Sequence, residues 1–153
     1  MLGLLECAAY ALLPSLLGWL WELSVGVSGF LSTLITLLLL TVWYWAGWRY
    51  AVRIRNPIAA LLAGNSIGLL SLGIYLWQEY GAAVKNVVLQ GLSQKYGASL
   101  TMITVRIVMR FSPVVDGVTQ VSNTALQIVA FLLLAALFAV GYFSHRKILE
   151  EAK

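Results

Sequence analysis

Three stretches of this chain, residues 23–48, 56–78 and 117–144, contain no acidic or basic side chain at all. A helix of about 20 mostly apolar residues crosses the hydrocarbon core of a bilayer, and each interval exceeds that length. The composition points the same way. Hydrophobic residues make up 61% and charged residues 10% of the chain, against about 45–50% and about 25% in soluble domains. A water-soluble chain of 153 residues has too little interior to hide so much apolar surface, so part of it is expected to face lipid. The expected fold class is an all-α integral membrane protein, one transmembrane domain over residues 1–153. Cys7 is the only cysteine, which excludes an intramolecular disulfide and a two-cysteine redox site.

Residues 2–21 supply a fourth candidate span. They are apolar, with Glu6 near the start, Pro14 in the middle and Glu22 just beyond. A secretory signal opens with basic residues, and here Glu6 comes first. Proline is tolerated in membrane helices, where neighbours or water satisfy the freed carbonyl. The segment reads as a kinked transmembrane helix, with a re-entrant or interfacial segment as the alternative. The four spans are expected near 2–21, 26–48, 57–78 and 118–143.

At the end of the second apolar run stand Trp43, Tyr44, Trp45, Trp48 and Tyr50, followed closely by Arg49, Arg53 and Arg55. Amphipathic rings favour the headgroup region, so the cluster reads as a membrane exit with its arginines in a short loop. Asn56-Pro57 then opens the next helix, because proline suits the first helical turn. A nucleic-acid surface needs such residues on a folded polar face, and none is available. Positive residues mark the cytoplasmic side. The chain is accordingly expected in a cell membrane, plasma or inner, with this loop, the tail at residues 145–153 and both termini cytoplasmic.

Between the third and fourth spans, residues 80–112 form an amphipathic interfacial segment. Val84, Val87, Val88, Leu92 and Tyr96 recur at helical spacing, and such a face is expected to rest on the bundle or the membrane. Gly97 interrupts it. A second helix follows with Leu100, Ile103, Ile107 and Phe111 on one side and Arg106 and Arg110 on another; alternation over residues 103–111 also allows a strand. Burying the arginines costs about 2.5–3.5 kcal/mol each at mid-membrane. The segment is therefore expected as a helical hairpin across the outer end of the bundle, its basic residues reaching headgroups, Glu79 or Asp116.

Two polar sets remain inside the spans. Gly64, Asn65, Ser66 and Gly68, with Ser71 beyond, make a small-residue face suited to helix packing, where Asn65 can hydrogen-bond a neighbour. Gln120, Asn123, Thr124 and Gln127 fall at i, i+3, i+4 and i+7 of the last span, a stripe fit for a vestibule, a subunit interface or an interfacial helix end. No clustered metal ligands, phosphate-binding loop or catalytic constellation occurs, and no cofactor is expected. His145, beside Arg146, reads as an anchor at a membrane exit. Arg49, Arg53, Arg55, Arg106 and Arg110 are candidate headgroup or anion contacts. The expected role is action through assembly, as a homo-oligomer or as a subunit of a larger membrane complex. A transporter or channel is the alternative, with Asn65 and the polar stripe lining a path, and a lipid-directed enzyme comes third. Expected partners are the lipid bilayer and another membrane protein or a second copy, with no nucleic acid.

Overall fold

The computed structural model describes residues 2–151. Ala152 and Lys153 of the basic tail lie outside the described residues. Seven α-helices carry the fold: α1 Leu2–Val25, α2 Gly29–Arg53, α3 Pro57–Gly64, α4 Ser66–Leu76, α5 Val87–Ala98, α6 Thr101–Met109 and α7 Asn123–Glu151. A π-helical turn, Trp77–Gly81, extends α4, and strands β1 Val114–Val115 and β2 Val118–Thr119 form a small hairpin. From Glu6 onward α1, and all of α2 and α7, are long and apolar enough to cross a membrane. A fourth candidate exists if α3 and the run Ser66–Gly81 count as one span bent by 57°.

Ion pairs and hydrogen bonds mark the two ends of the bundle. At one end Glu6 accepts from Arg49 at 2.6 Å and Arg53 at 3.0 Å. There too the Tyr142 hydroxyl donates to the carbonyls of Ile54 and Arg55, both at 2.9 Å. At the other end Glu22 pairs with Lys95. Helix α1 thus runs the length of the bundle and passes through Pro14 without a break.

The aromatic cluster divides. Trp43 and Tyr50 are 0% and 2% exposed and belong to the core, whereas Tyr44, Trp45 and Trp48 stay on the surface. The indole N–H of Trp43 donates to the Leu134 carbonyl of α7 at 3.0 Å, and the Tyr50 hydroxyl donates to the Cys7 carbonyl at 2.8 Å. Helix α2 continues to Arg53, which places Arg49 and Arg53 on its last turns and shortens the loop to residues 54–56. Asn56 caps α3 as its sequence suggests, its Oδ1 accepting from the backbone N–H of Ile58 and Ala59.

The third apolar stretch is not one straight helix. Asn65 leaves the helical region at φ −99° and ψ 11°, and its Nδ2 donates to the Leu61 carbonyl at 2.9 Å. The Ser66 hydroxyl donates in turn to the Ala63 carbonyl. Side chains that bond the preceding turn compete with the backbone ladder and bend it. Asn65 therefore bonds within its own helix rather than to a neighbour.

The segment between α4 and α7 departs furthest from expectation. It is helical, so the strand alternative for residues 103–111 falls away, but its hairpin does not lie across the end of the bundle. The turn between α5 and α6 is buried: Ser99 and Leu100 are fully covered, and the Thr36 hydroxyl of α2 donates to the Ser99 carbonyl at 2.6 Å. Thr36 lies seven residues inside α2, and Ala130, whose Cβ meets Gly97, lies seven residues inside α7. At 1.5 Å rise per residue, both place the turn about 10 Å below the end of the bundle. The apolar face of this segment does not pack on the bundle, which leaves the membrane as the other surface expected for it. Ser93, Tyr96 and Gly97 point inward, while Val84, Val87, Val88 and Leu92 are 60–84% exposed. Among these, only Tyr96 of the supposed apolar face is buried.

Asp116 and Gly117 both adopt positive φ, 52° and 77°, in the two-residue turn joining β1 to β2. An Asp-Gly pair is suited to such a turn. The strands close the way out of α6, and α7 begins only at Asn123, five residues later than expected.

Candidate functional site

Inserting α5 and α6 between the long helices leaves a polar cleft open at the Glu22 end. Its volume is about 210 Å³, and it is bounded by Trp21 and Glu22 of α1, Gln94 of α5, Thr101 and Thr104 of α6, and Asn123 and Gln127 of α7. The floor is the hairpin turn itself, where Gly97 lets the Gln127 amide oxygen lie against backbone: a Cβ there would sit 2.7 Å from Ala130 Cβ and 3.4 Å from that oxygen.

The groups around the cleft are mostly neutral. Glu22 and Lys95 pair with one another at the mouth. The hydroxyls of Thr101 and Thr104 donate to carbonyls of their own turns, those of Ala98 at 2.6 Å and Leu100 at 3.2 Å. The amides of Gln94, Asn123 and Gln127 remain to bind something, and the buried Trp21 indole N–H finds no partner in the protein. An N–H buried without a partner is costly unless water or a ligand satisfies it.

Beneath the cleft the bundle closes on an aromatic layer. Trp43 meets Tyr96 edge-on at 6.3 Å and Phe138 at 5.6 Å, and Phe138 meets Tyr50 at 5.1 Å. Gly64 is packed against the Phe138 ring and Gly68 against the Tyr96 ring. The small-residue face is thus used inside the chain, by aromatic rings rather than by another helix backbone. The Tyr96 hydroxyl, against Gly68, and Asn65 Oδ1, one turn away on the same helix face, are both buried without a partner. Ser66 is exposed and outside this group.

The structure splits the polar stripe. Gln120 precedes α7, its N–H donating to the Pro113 carbonyl, and Thr124 turns away to hydrogen-bond Tyr80 at 3.0 Å. Only Asn123 and Gln127 reach the cleft. The arginines separate too. Arg49 and Arg53 take Glu6, and Arg49 also lies over the Trp45 ring at 5.5 Å. Arg55 borders a shallow depression with Arg146 and Lys147. Arg106 on α6 and Arg110 just after it are exposed and, among the described residues, have no carboxylate partner. Glu79 is taken by Lys85 at 3.0 Å and the Gln90 amide at 3.0 Å. His145 packs edge-on against Trp48 at 4.8 Å.

Sequence reasoning missed Trp21, Gln94, Thr101 and Thr104, which meet at the cleft only through insertion of the hairpin. The one local signal was the i, i+3 spacing of the two threonines. Among the described residues, no group of three or more His, Cys, Asp or Glu side chains is placed to hold a metal ion. No protein-family model matches this chain, nor does any curated protein or solved structure.

Proposed function

We propose that the chain is a four-span integral membrane protein of a cell membrane that acts through assembly, as a homo-oligomer or as a subunit of a larger complex, without its own catalytic site. Its contribution to that assembly is a vestibule for a small, neutral, hydrogen-bonding molecule. The observation that carries this reading is the cleft at the Glu22 end, lined by amides, floored by the hairpin turn and closed beneath it by packed aromatics. At about 30 Å³ per water, its volume of about 210 Å³ holds about seven waters or one small organic solute. With its charges paired at the mouth, it favours neutral over ionic guests. A chain closed at mid-depth moves nothing across on its own, which is why the reading includes partners.

Thiol labelling in a Cys7→Ser background tests the vestibule. Cysteines at Val87 and Gln127 react with a small impermeant reagent added outside intact cells, one at Leu134 stays unreactive, and one at Arg53 reacts only after permeabilisation. An unreactive Gln127→Cys beside a reactive Val87→Cys removes the vestibule, and labelling of Arg53→Cys alone inverts the topology. Crosslinking in mild detergent gives a discrete multimer or a co-purifying partner; a strictly monomeric, partnerless protein removes assembly.

A second reading, a transporter for small polar solutes, has one observation in its favour: the partnerless Asn65 Oδ1 and Tyr96 hydroxyl at the bend in the third span. Broken helices with free polar groups are where transporters place their sites. Solute flux into proteoliposomes that falls with Gln127→Leu supports it; the absence of flux above empty liposomes leaves the closed vestibule as the reading.

A further inference from the structure

We propose that a groove on the outside of the bundle holds one acyl chain of an anionic glycerophospholipid, with Arg106 at its rim against the headgroup phosphate. The groove exists because α6 is short. Leu100, at the deep end of the hairpin, is buried about 10 Å below the end of the bundle, and beneath it α2 and α7 continue with nothing over them. A cavity of about 260 Å³ lies between α2 and α6, bounded by Leu37, Met102 and Arg106 among others. A second, of about 320 Å³, lies lower, against Leu100, Leu137 and Val140. They share Leu40 and Ile103 and so form one trough.

Shape, chemistry and charge agree on the occupant. Along α7 the lower cavity runs from Leu133 to Val140, about 10 Å at 1.5 Å per residue, an elongated shape that an acyl chain can lie along. The trough's lower part is walled by aliphatic side chains, which offer an acyl chain contact and nothing to hydrogen-bond. At its upper rim Arg106 stands exposed, one helical turn from Arg110, and among the described residues neither has a carboxylate partner. Every other described basic residue of this end is paired: Lys85 with Glu79 and Lys95 with Glu22. A guanidinium free of internal anions at headgroup depth suits a phosphate, which it can meet with two parallel hydrogen bonds. Thr33, also on the rim, donates its hydroxyl to the Gly29 carbonyl at 2.8 Å, leaving the arginine as the group that selects. The inference rests on the membrane reading above but is independent of the vestibule, which opens on the other side of α6.

The test uses the full chain in mild detergent, titrated with dioleoyl phosphatidylglycerol or dioleoyl phosphatidylcholine, with thermal stabilisation as the readout. The anionic lipid is expected to reach half-effect at about fivefold lower concentration, the effect of one basic side chain beside anionic headgroups. Arg106→Gln removes that preference. Dihexanoyl phosphatidylglycerol, whose chains are too short to fill the trough, stabilises weakly, and Ala136→Trp, which fills the trough from its open side, weakens both dioleoyl lipids while keeping their order. Equal midpoints for the two lipids with the unaltered chain overturn the proposal, as does a short-chain lipid that works as well as the long one. Alkaline carbonate extraction of cell membranes runs in parallel. A chain released by carbonate fails the membrane reading itself, whereas a retained chain with equal midpoints fails only the lipid site.

Discussion

Replacing Gly141 with alanine is expected to destabilise the purified protein, although alanine is the better helix former. Helices α2 and α7 cross at two glycines. A Cβ on Gly141 would run into the carbonyl of Tyr44, and one on Gly47 into the carbonyl of Phe138. Both obstacles are backbone, so no side chain can rotate aside. The propensity gain from Gly to Ala is about 1 kcal/mol. Overpacking costs about 1–3 kcal/mol and more when backbone must move. We expect a net loss of about 2 kcal/mol, or about 4–8 °C in Tm for a chain of this size. Gly73→Ala is the control. Nothing lies within 4 Å of a Cβ there, so stability should hold or rise by up to about 1 kcal/mol. Equal Tm values for the parent and Gly141→Ala would mean that the two backbones are not in this contact.

Leucine at Gly18 should unseat the inserted hairpin while leaving the long helices in place. A Cβ at Gly18 would strike the Lys95 carbonyl, and a whole isobutyl group has no room beside it. Helix α5 touches α1 through this glycine and through the Lys95–Glu22 pair, so the clash falls on the joint that holds the hairpin down. The reporter is Ser93→Cys in the Cys7→Ser background, a position 5% exposed in the native protein. Its reaction with a thiol reagent should be slow in the parent and at least about tenfold faster with Gly18→Leu, the ratio that about 1.4 kcal/mol of lost local protection produces. Val87→Cys, already exposed, should react at the same rate in both. An unchanged Ser93→Cys rate would mean that the hairpin is held by contacts other than α1.

Both expectations turn on glycines whose roles no local pattern reveals. The sequence has 13 glycines, and nothing along the chain distinguishes Gly141, pressed on a carbonyl, from Gly73, open to its surroundings. The aromatic run shows the same limit. Trp43, Trp45 and Trp48 are alike in composition and neighbourhood, yet Trp43 alone turns inward, towards the Leu134 carbonyl. The Asp116–Gly117 hairpin is different, because Asp-Gly between β-branched valines is a local signal.

What the sequence determined by itself were the properties that depend on composition along a single helix. The apolar intervals, the Asn56 cap and the helical character of residues 87–109 follow from propensity and from what a continuous stretch of side chains will dissolve in. Which side of each helix faces in was set by contacts between helices. The rule that apolar faces point inward assumes water outside, and it left Val84, Val87, Val88 and Leu92 to rest either on the bundle or on the membrane. In the proposed lipid surroundings that drive is gone, since lipid tails are as apolar as a core. Close approach and hydrogen bonding choose the inner face instead, and these favour Ser93, Gly97 and the Thr36–Ser99 contact over the valines. Those preferences depend on partners 33 and 63 residues away in the chain, and so the depth of the hairpin and the cleft between α1, α6 and α7 belong to the fold alone.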